Sequence, residues 1–263
     1  MNDLLQVILL GIIEGITEFL PISSTGHLLL AEQFGLGQRS ELFNIVIQAG
    51  AILAVTVIYR DRLWTLATGL GDAGNRVYIA KLALAFLITA VLGLIVKKLG
   101  FELPDSIGPI AWALVIGGIW MLAAEWWAGR RPEQAEILWT VAIAVGIGQV
   151  VAGVFPGTSR SATTIFAAML IGGASRAAAT EFAFLVGIPT MYAASVYALY
   201  GEWKHGGGGE NWRHVAVGFV VSAVVAFIAV KWLLRYIQSH RFTAFAWYRI
   251  ALGAGLLGWA ALA

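Results

Sequence analysis

The sequence predicts an all-α polytopic membrane protein: six transmembrane helices plus two re-entrant helix hairpins in an inverted-topology repeat. Three observations lead there. First, 59% of the 263 residues are hydrophobic and only 12% are charged, against about 25% charged in an ordinary soluble domain. Second, the apolar residues fall in long runs rather than in periodic stripes, and mean hydropathy is +0.81. Third, two of those runs are interrupted by proline and hydroxyl clusters that recur in the same order along the chain.

A spanning helix needs roughly 20 apolar residues. The spans predicted on that basis are 41–59, 77–97, 107–127, 180–200, 214–234 and 245–263. Residues 4–34 and 137–173 are each broken near the middle, at Pro21-Ile22-Ser23-Ser24-Thr25-Gly26 and at Pro156-Gly157-Thr158-Ser159-Arg160-Ser161. Each reads as two short helices meeting at a polar turn and returning to the face they entered from. Pro21 is expected to end the first half-helix. The hydroxyls of Ser23, Ser24 and Thr25 are expected to cap the second. "HGGGG" at 205–209 reads as a flexible turn.

A shift of 135 residues lays Pro21 on Pro156, Ser24 on Ser159, Glu14 on Gln149 and Gly118 on Gly253. Nearby shifts lay "AFLITAVLGLIVKK" on "GFVVSAVVAFIAVK". The halves run from about 1–131 and 136–263. Each contributes one broken hairpin and three spans, so the second half enters with opposite orientation. In such repeats discontinuous helices meet near the bilayer midplane and carry the binding site.

Arg60, Arg62, Arg76, Arg130, Arg131, Arg176, Lys231, Arg235 and Arg241 flank one side of this topology, against Arg39, Lys97, Lys98, Lys204 and Arg213 on the other. The positive-inside rule makes the richer side cytoplasmic and puts both termini outside. A net charge of +2 gives no support for nucleic-acid binding, and the absence of cysteine removes disulfides and thiolate metal sites. The N-terminus lacks the basic region of a signal peptide, so the first apolar run is expected to remain in the mature protein. Tryptophans near run ends (Trp64, Trp126, Trp127, Trp139, Trp203, Trp212) suit interfacial belts.

The candidate chemistry lies in the two broken hairpins. Glu14 and Glu18 share a helix face. Carboxylates at membrane depth cost about 2.5–3.5 kcal/mol each on insertion scales and tend to be functional. They could bind a divalent cation, or one could carry a proton. Ser24 and His27, three residues apart, could act on one substrate, and the N–H groups of their helix form an anion site. In the second hairpin Gly157 allows close backbone approach, Thr158, Ser159 and Ser161 offer hydroxyls, and the fork of donors on Arg160 suits phosphate. Asn44 and Gln48 read as makers of interhelical hydrogen bonds. Glu41 and Glu181 read as acids at helix starts. Arg249 could snorkel to an interface or reach the centre.

"EGITEFLPISSTGH" and "PGTSRSATT" resemble the paired signature motifs of the bacterial undecaprenyl pyrophosphate phosphatase family, the BacA-type bacitracin-resistance proteins. The similarity extends over nearly the whole chain, through "VIQAGAILAV", "EFAFLVGIP" and "AWYR". It implies an integral enzyme of the bacterial inner membrane that removes the terminal phosphate of a polyprenyl pyrophosphate lipid, uses Mg2+ or Ca2+, and opens its site to the periplasm. By that resemblance Glu14 and Glu18 belong to the metal and Ser24, His27 and Glu18 to catalysis. Arg160, Ser159, Gly157, Thr164, Ser23 and Thr25 belong to phosphate binding, with Arg249 in addition. Ser24 or His27 as nucleophile, and direct attack by water, stay open, as does a homodimer. A carrier that flips undecaprenyl phosphate through the same anion site is the alternative. Phosphatidic-acid-type lipid phosphatases, whose "PSGH" is superficially similar to "SSTGH", need a histidine downstream of their "SR", where Phe166 stands here.

Overall fold

The computed structural model describes residues 2–100, 106–204 and 211–262, so "HGGGG" at 205–209 lies outside the described residues. Among the described residues six helices are long and apolar enough to cross a membrane: α3 (Glu41–Ile58), α5 (Ala73–Lys98), α6 (Ile107–Ala128), α9 (Arg176–Lys204), α10 (Trp212–Tyr236) and α11 (Thr243–Leu262). Each overlaps a predicted span, and α5 and α9 start a turn earlier than predicted, where Asp72 and Ser175 accept from first-turn N–H groups. Ser40 accepts from the N–H of Phe43 and Asp72 from that of Asn75, at 3.0 and 2.8 Å, while Lys97 and Lys98 sit at the negative end of α5.

The interrupted segments are pairs of shorter helices: α1 (Asp3–Thr17) with α2 (Ser24–Ala31), and α7 (Trp139–Val154) with α8 (Arg160–Gly172). A π-helical turn at Glu32–Leu36 follows α2, and α4 (Arg60–Thr68) is a short, mostly exposed helix that hydropathy did not predict. The first break differs from expectation. Helix α1 stops at Thr17, four residues before Pro21, with Glu18 as its C-cap, and Thr17 bonds back to the Ile13 carbonyl at 2.7 Å. Among the described residues the sole β-type pairing is an isolated bridge, Gln134 with Ala174. It ties the start of the second hairpin to its end through Gln134 N–H to the Gly173 carbonyl and Ser175 N–H to the Gln134 carbonyl, both 2.8 Å.

Packing crosses between the halves. α1 lies on α10, α7 lies on α5, α6 lies on α11, and α3 packs against both α10 and α9. Two glycines make the first two contacts close. A Cβ at Gly11 would sit 2.9 Å from the Gly218 carbonyl and 3.1 Å from Val221 Cβ. A Cβ at Gly146 would sit 2.8 Å from the Ala85 carbonyl and 2.9 Å from Ile88 Cβ. These are matching positions of the two aligned segments. Small residues of this kind let backbones approach where lipid gives no hydrophobic drive between helices.

The main core gathers Phe19, Ile52, Phe166, Phe182 and Phe242. Leu87, Val91 and Leu94 on α5, Ile116 on α6 and Ile228 on α10 stand exposed on the outside, a surface that needs lipid around it. At one end Arg176 grips Glu125 with two nitrogens, at 3.1 and 2.6 Å, and Glu125 also accepts from the N–H of Phe242 at 2.9 Å. One buried carboxylate thus joins α6, α9 and the start of α11. Glu181 lies in the second turn of α9 rather than at its start. It pairs with Arg62 at 3.1 Å, which explains its position better than the helix dipole.

Candidate active site

The two polar turns meet inside the bundle, and the backbone at each is unusual in the same way. Among the described residues Ser23 and Ser159 are the non-glycine residues with positive φ, 76° and 72°. Each is an N-cap, its hydroxyl accepting from the N–H of Gly26 (3.3 Å) or Ala162 (3.2 Å). The first-turn N–H groups ahead of those have no intrahelical acceptor. The structural equivalence is therefore Ser23 with Ser159, one residue away from the alignment of Ser24 with Ser159. The reason is that the second turn carries one more residue between proline and cap, Gly157-Thr158 against Ile22 alone. Ser24 and Arg160, each the first residue after its cap, thus occupy equivalent positions.

Both converge on Glu18. The Ser24 hydroxyl donates to Glu18 Oε2, and Arg160 Nη2 donates to Glu18 Oε1 as a short ion pair. Ser161 adds a bond from its hydroxyl to the Leu20 carbonyl, 2.9 Å, so the second hairpin is tied to the first turn twice. Glu18 is buried and Arg160 partly open, toward a cavity of about 150 Å³ lined by Ser23, Ser24, Thr25, Gly157, Ser159 and Arg160. Seven of the residues selected from sequence, Glu18 with these six, are brought together there.

The remaining four stand elsewhere. Glu14 is fully buried one turn before Glu18, and neither of its carboxylate oxygens has a hydrogen-bond partner. Thr164 is directed to backbone: its hydroxyl donates to the carbonyls of Arg160 (2.8 Å) and Ser161 (3.3 Å). It lines a smaller cavity behind Arg160 rather than the one in front. His27 does not pair with Ser24. Its Nδ1 meets the Ser23 carbonyl and its Nε2 the Tyr248 hydroxyl, both at 2.7 Å, with the Tyr248 ring stacked parallel at 5.7 Å. A carbonyl can only accept, so Nδ1 carries the proton and Nε2 faces Tyr248. Ser24 thus pairs with Glu18, while the His27 imidazole is held between Ser23 and Tyr248.

Arg249 neither snorkels nor faces the cavity. It is 0% exposed and donates to the carbonyls of Gly157 (2.9 Å), Thr158 (3.0 Å), Ala113 (3.0 Å) and Pro21 (3.4 Å). One guanidinium thus holds both turns at once. Three further residues at the site were not selected from sequence. Gln48, read as an interhelical bond maker, lines the cavity. Gln149 lines it too and donates to Thr89 at 2.9 Å, with its own Oε1 unpartnered. Tyr248 was contained in "AWYR" but carried no local signal, since its role depends on a contact 221 positions away in sequence.

Whether a divalent cation fits can be judged from the donors. Among the described residues no three His, Cys, Asp or Glu side chains form a ready-made cage. Magnesium rarely needs one: it takes one or two carboxylates and completes its shell with water and substrate phosphate. The two unpartnered oxygens of Glu14 are hard oxygen donors of that kind, one turn before Glu18, whose own oxygens are held by Ser24 and Arg160.

Fold and site together define a multi-pass membrane protein with a polar cavity between two pairs of shorter helices. The chain belongs to the family described as bacitracin resistance protein BacA, whose model matches residues 7–255. It is 68% identical to the undecaprenyl-diphosphatase of Rhizobium johnstonii over 260 residues, 98% of each chain. It is 64% and 63% identical, with the same coverage, to the enzymes of that name from Xanthomonas euvesicatoria pv. vesicatoria and Xanthomonas campestris pv. campestris. Nothing in these matches supports the carrier alternative.

Proposed function

We propose that this chain hydrolyses the phosphoanhydride of undecaprenyl diphosphate, releasing inorganic phosphate and undecaprenyl phosphate. That product is the lipid carrier on which envelope polymers are built, and its regeneration is what bacitracin opposes. The observation that carries the reading is the three-way junction at Glu18. One carboxylate holds a hydroxyl from one half-helix and a guanidinium from the other, at the rim of a cavity faced by two helix N-termini.

In this reading Arg160 and the first-turn N–H groups of α2 and α8 neutralise the diphosphate oxygens, strengthening as charge shifts in the transition state. The Ser24 hydroxyl attacks the terminal phosphorus. The Ser24 O–P bond forms, the bond from that phosphorus to the bridging oxygen breaks, the serine proton passes to Glu18, and undecaprenyl phosphate leaves. Water then attacks the phosphoserine: its O–P bond forms as the Ser24 O–P bond breaks, Glu18 returns its proton to the Ser24 oxygen, and inorganic phosphate leaves. Glu14 and Glu18 would hold Mg2+ or Ca2+, which would supply charge neutralisation of the phosphates. His27, fixed by Ser23 and Tyr248, orders the turn that presents Ser24.

The two short helix pairs are read as re-entrant hairpins of an inverted repeat. Their helices of 15, 8, 16 and 13 residues are each shorter than a span requires, and their packing partners correspond between the halves. The distribution of arginine and lysine favours an inner-membrane protein with both termini, and the mouth of the site, on the periplasmic side.

The test is to incubate purified protein in detergent with undecaprenyl diphosphate labelled at its terminal phosphate, measure release, and map label in acid-quenched and base-quenched protein. Phosphate release with label on Ser24 supports the mechanism. Label on His27, or turnover with no phosphoenzyme even at the earliest times, rules the serine step out. No release at all rules out the activity.

A further inference from the structure

A diphosphate at the Glu18 junction brings with it a long prenyl chain, and the polar cavity of about 150 Å³ has no room for one. Immediately behind one wall lies a second hollow, about 460 Å³, of opposite character. It is walled by Pro109, Trp112, Ile116 and Trp120 of α6 and by Val151 and Phe155 at the end of α7. Thr158 and Thr163 are its sole hydroxyls. The two hollows share the turn between α7 and α8: Gly157 faces the polar cavity and its neighbour Thr158 faces the apolar one. That turn is held against α6, since a Cβ on Gly157 would lie 2.9 Å from Ala113 Cβ, and Arg249 bonds the carbonyls of Ala113, Gly157 and Thr158 together.

We infer that this groove between α6 and the end of α7 is the subsite for the first isoprene units of the substrate, and so sets the preference for a long prenyl chain. The inference rests on the diphosphatase reading above. Three features select this occupant. The groove opens on the lipid-facing surface, where Trp112, Ile116 and Phe155 are exposed, so a chain can leave it into the bilayer without crossing water. Its walls are aromatic and aliphatic, suiting branched, unsaturated hydrocarbon. It lies on the other side of the turn that carries Ser159 and Arg160, Gly157 lining one hollow and Thr158 the other, so an amphiphile straddling that turn would place its head in the polar hollow and its tail in the apolar one. Burying the proximal isoprenes there also holds the diphosphate in register, turning tail binding into orientation at the phosphorus.

The experiment compares undecaprenyl diphosphate with geranyl diphosphate, whose two isoprene units stop short of the far end of the groove. Ile116→Trp and Val151→Trp each fill the hollow from its lipid-facing side, and Ile228→Trp on the outer face of α10 is the control. Filling is expected to lower the ratio of kcat/KM for the long substrate over the short one by about tenfold, through KM, with the control ratio unchanged. An unchanged ratio in both filled variants overturns the groove and leaves the diphosphatase reading intact, whereas hydrolysis of neither substrate by the native protein overturns the reading itself. A second measurement needs no variant: undecaprenyl diphosphate carrying a diazirine on an early isoprene should label peptides from 107–128 and 151–163. Labelling confined to other helices overturns the proposal.

Discussion

Ser23 and Ser159 hold the same rare backbone conformation, φ 76° and 72°, and each caps the helix that follows it. Positive φ is strained for a residue with a Cβ, by about 1–3 kcal/mol. The strain is tolerated because it aims the first residues beyond the caps, Ser24 and Arg160, at one carboxylate. Replacing either cap should therefore separate two effects. Ser23→Ala keeps the strain and loses the cap bond, and should lower stability by about 1 kcal/mol. Ser23→Gly loses the bond but relieves the strain, and should stay near native. Thermal unfolding in detergent checks this; equal losses for alanine and glycine would show that φ carries no cost here.

Arg249 should be irreplaceable by lysine. Its two terminal nitrogens bond four carbonyls from α6 and both turns, a spread that a single ammonium cannot match. Charged-group hydrogen bonds are worth about 1.5–3 kcal/mol each, and buried carbonyls left unpaired add to the loss. Arg249→Lys is expected to unfold at markedly lower temperature and to hydrolyse poorly because the turns separate. A lysine variant of native stability with a pure activity loss would instead place Arg249 on the substrate.

Much of this was legible from residues alone, for identifiable reasons. Hydropathy runs need no partners to be read, so the six long helices were found with small errors at the ends. The broken pairs were also visible, because proline and clustered hydroxyls stand out in apolar sequence. What was missed depends on direction and distance. The i, i+3 spacing of Ser24 and His27 says nothing of what each touches, and the imidazole is turned to Tyr248 on α11, a contact no local pattern encodes. Gln48 looked like Asn44, yet one faces the cavity and the other bonds Glu32 at 3.2 Å. Helix α4 carries Arg60, Asp61 and Arg62 and so falls below any hydropathy threshold.

The ion pair at the centre makes a non-additive prediction. Arg160→Ala should cost about 10²–10³ in kcat, the scale for losing one aligned oxyanion donor, and Arg160→Lys should recover little of it. Glu18→Ala should be at least as damaging, since it leaves Arg160 without its partner and Ser24 without its acceptor. The double variant should be no worse than the poorer single one, because the three groups act as a unit. Additive losses in a full kinetic cycle would separate the roles of Glu18 and Arg160.

Gly157 combines a φ of 91° with a close approach to α6. Alanine there meets three obstacles at once, the left-handed backbone, Ala113 and the Ile110 carbonyl 3.0 Å away. Gly157→Ala should lower stability by about 1–3 kcal/mol and displace the turn that presents Ser159 and Arg160. Pairing it with Ala113→Gly removes the side-chain obstacle while keeping the backbone strain and the Ile110 contact. Partial recovery of activity in the pair is expected; none would mean that the strain and the Ile110 backbone together decide.

The orphaned carboxylate of Glu14 gives a test of the cation that does not depend on turnover. If Mg2+ completes this group, it binds the folded protein and not the unfolded chain, adding about 2.7 kcal/mol at a hundredfold excess over Kd. The unfolding temperature of substrate-free protein should then rise with Mg2+ and fall back with chelator. Glu14→Gln keeps the shape but cannot offer the metal a carboxylate, and should abolish the rise. Hydrolysis by the native protein should stop in chelator and return with Mg2+ or Ca2+. A rise of equal size in the native protein and in Glu14→Gln would place the cation elsewhere, and activity that survives chelation would leave Arg160 and the helix N-termini as the whole of the phosphate-binding charge.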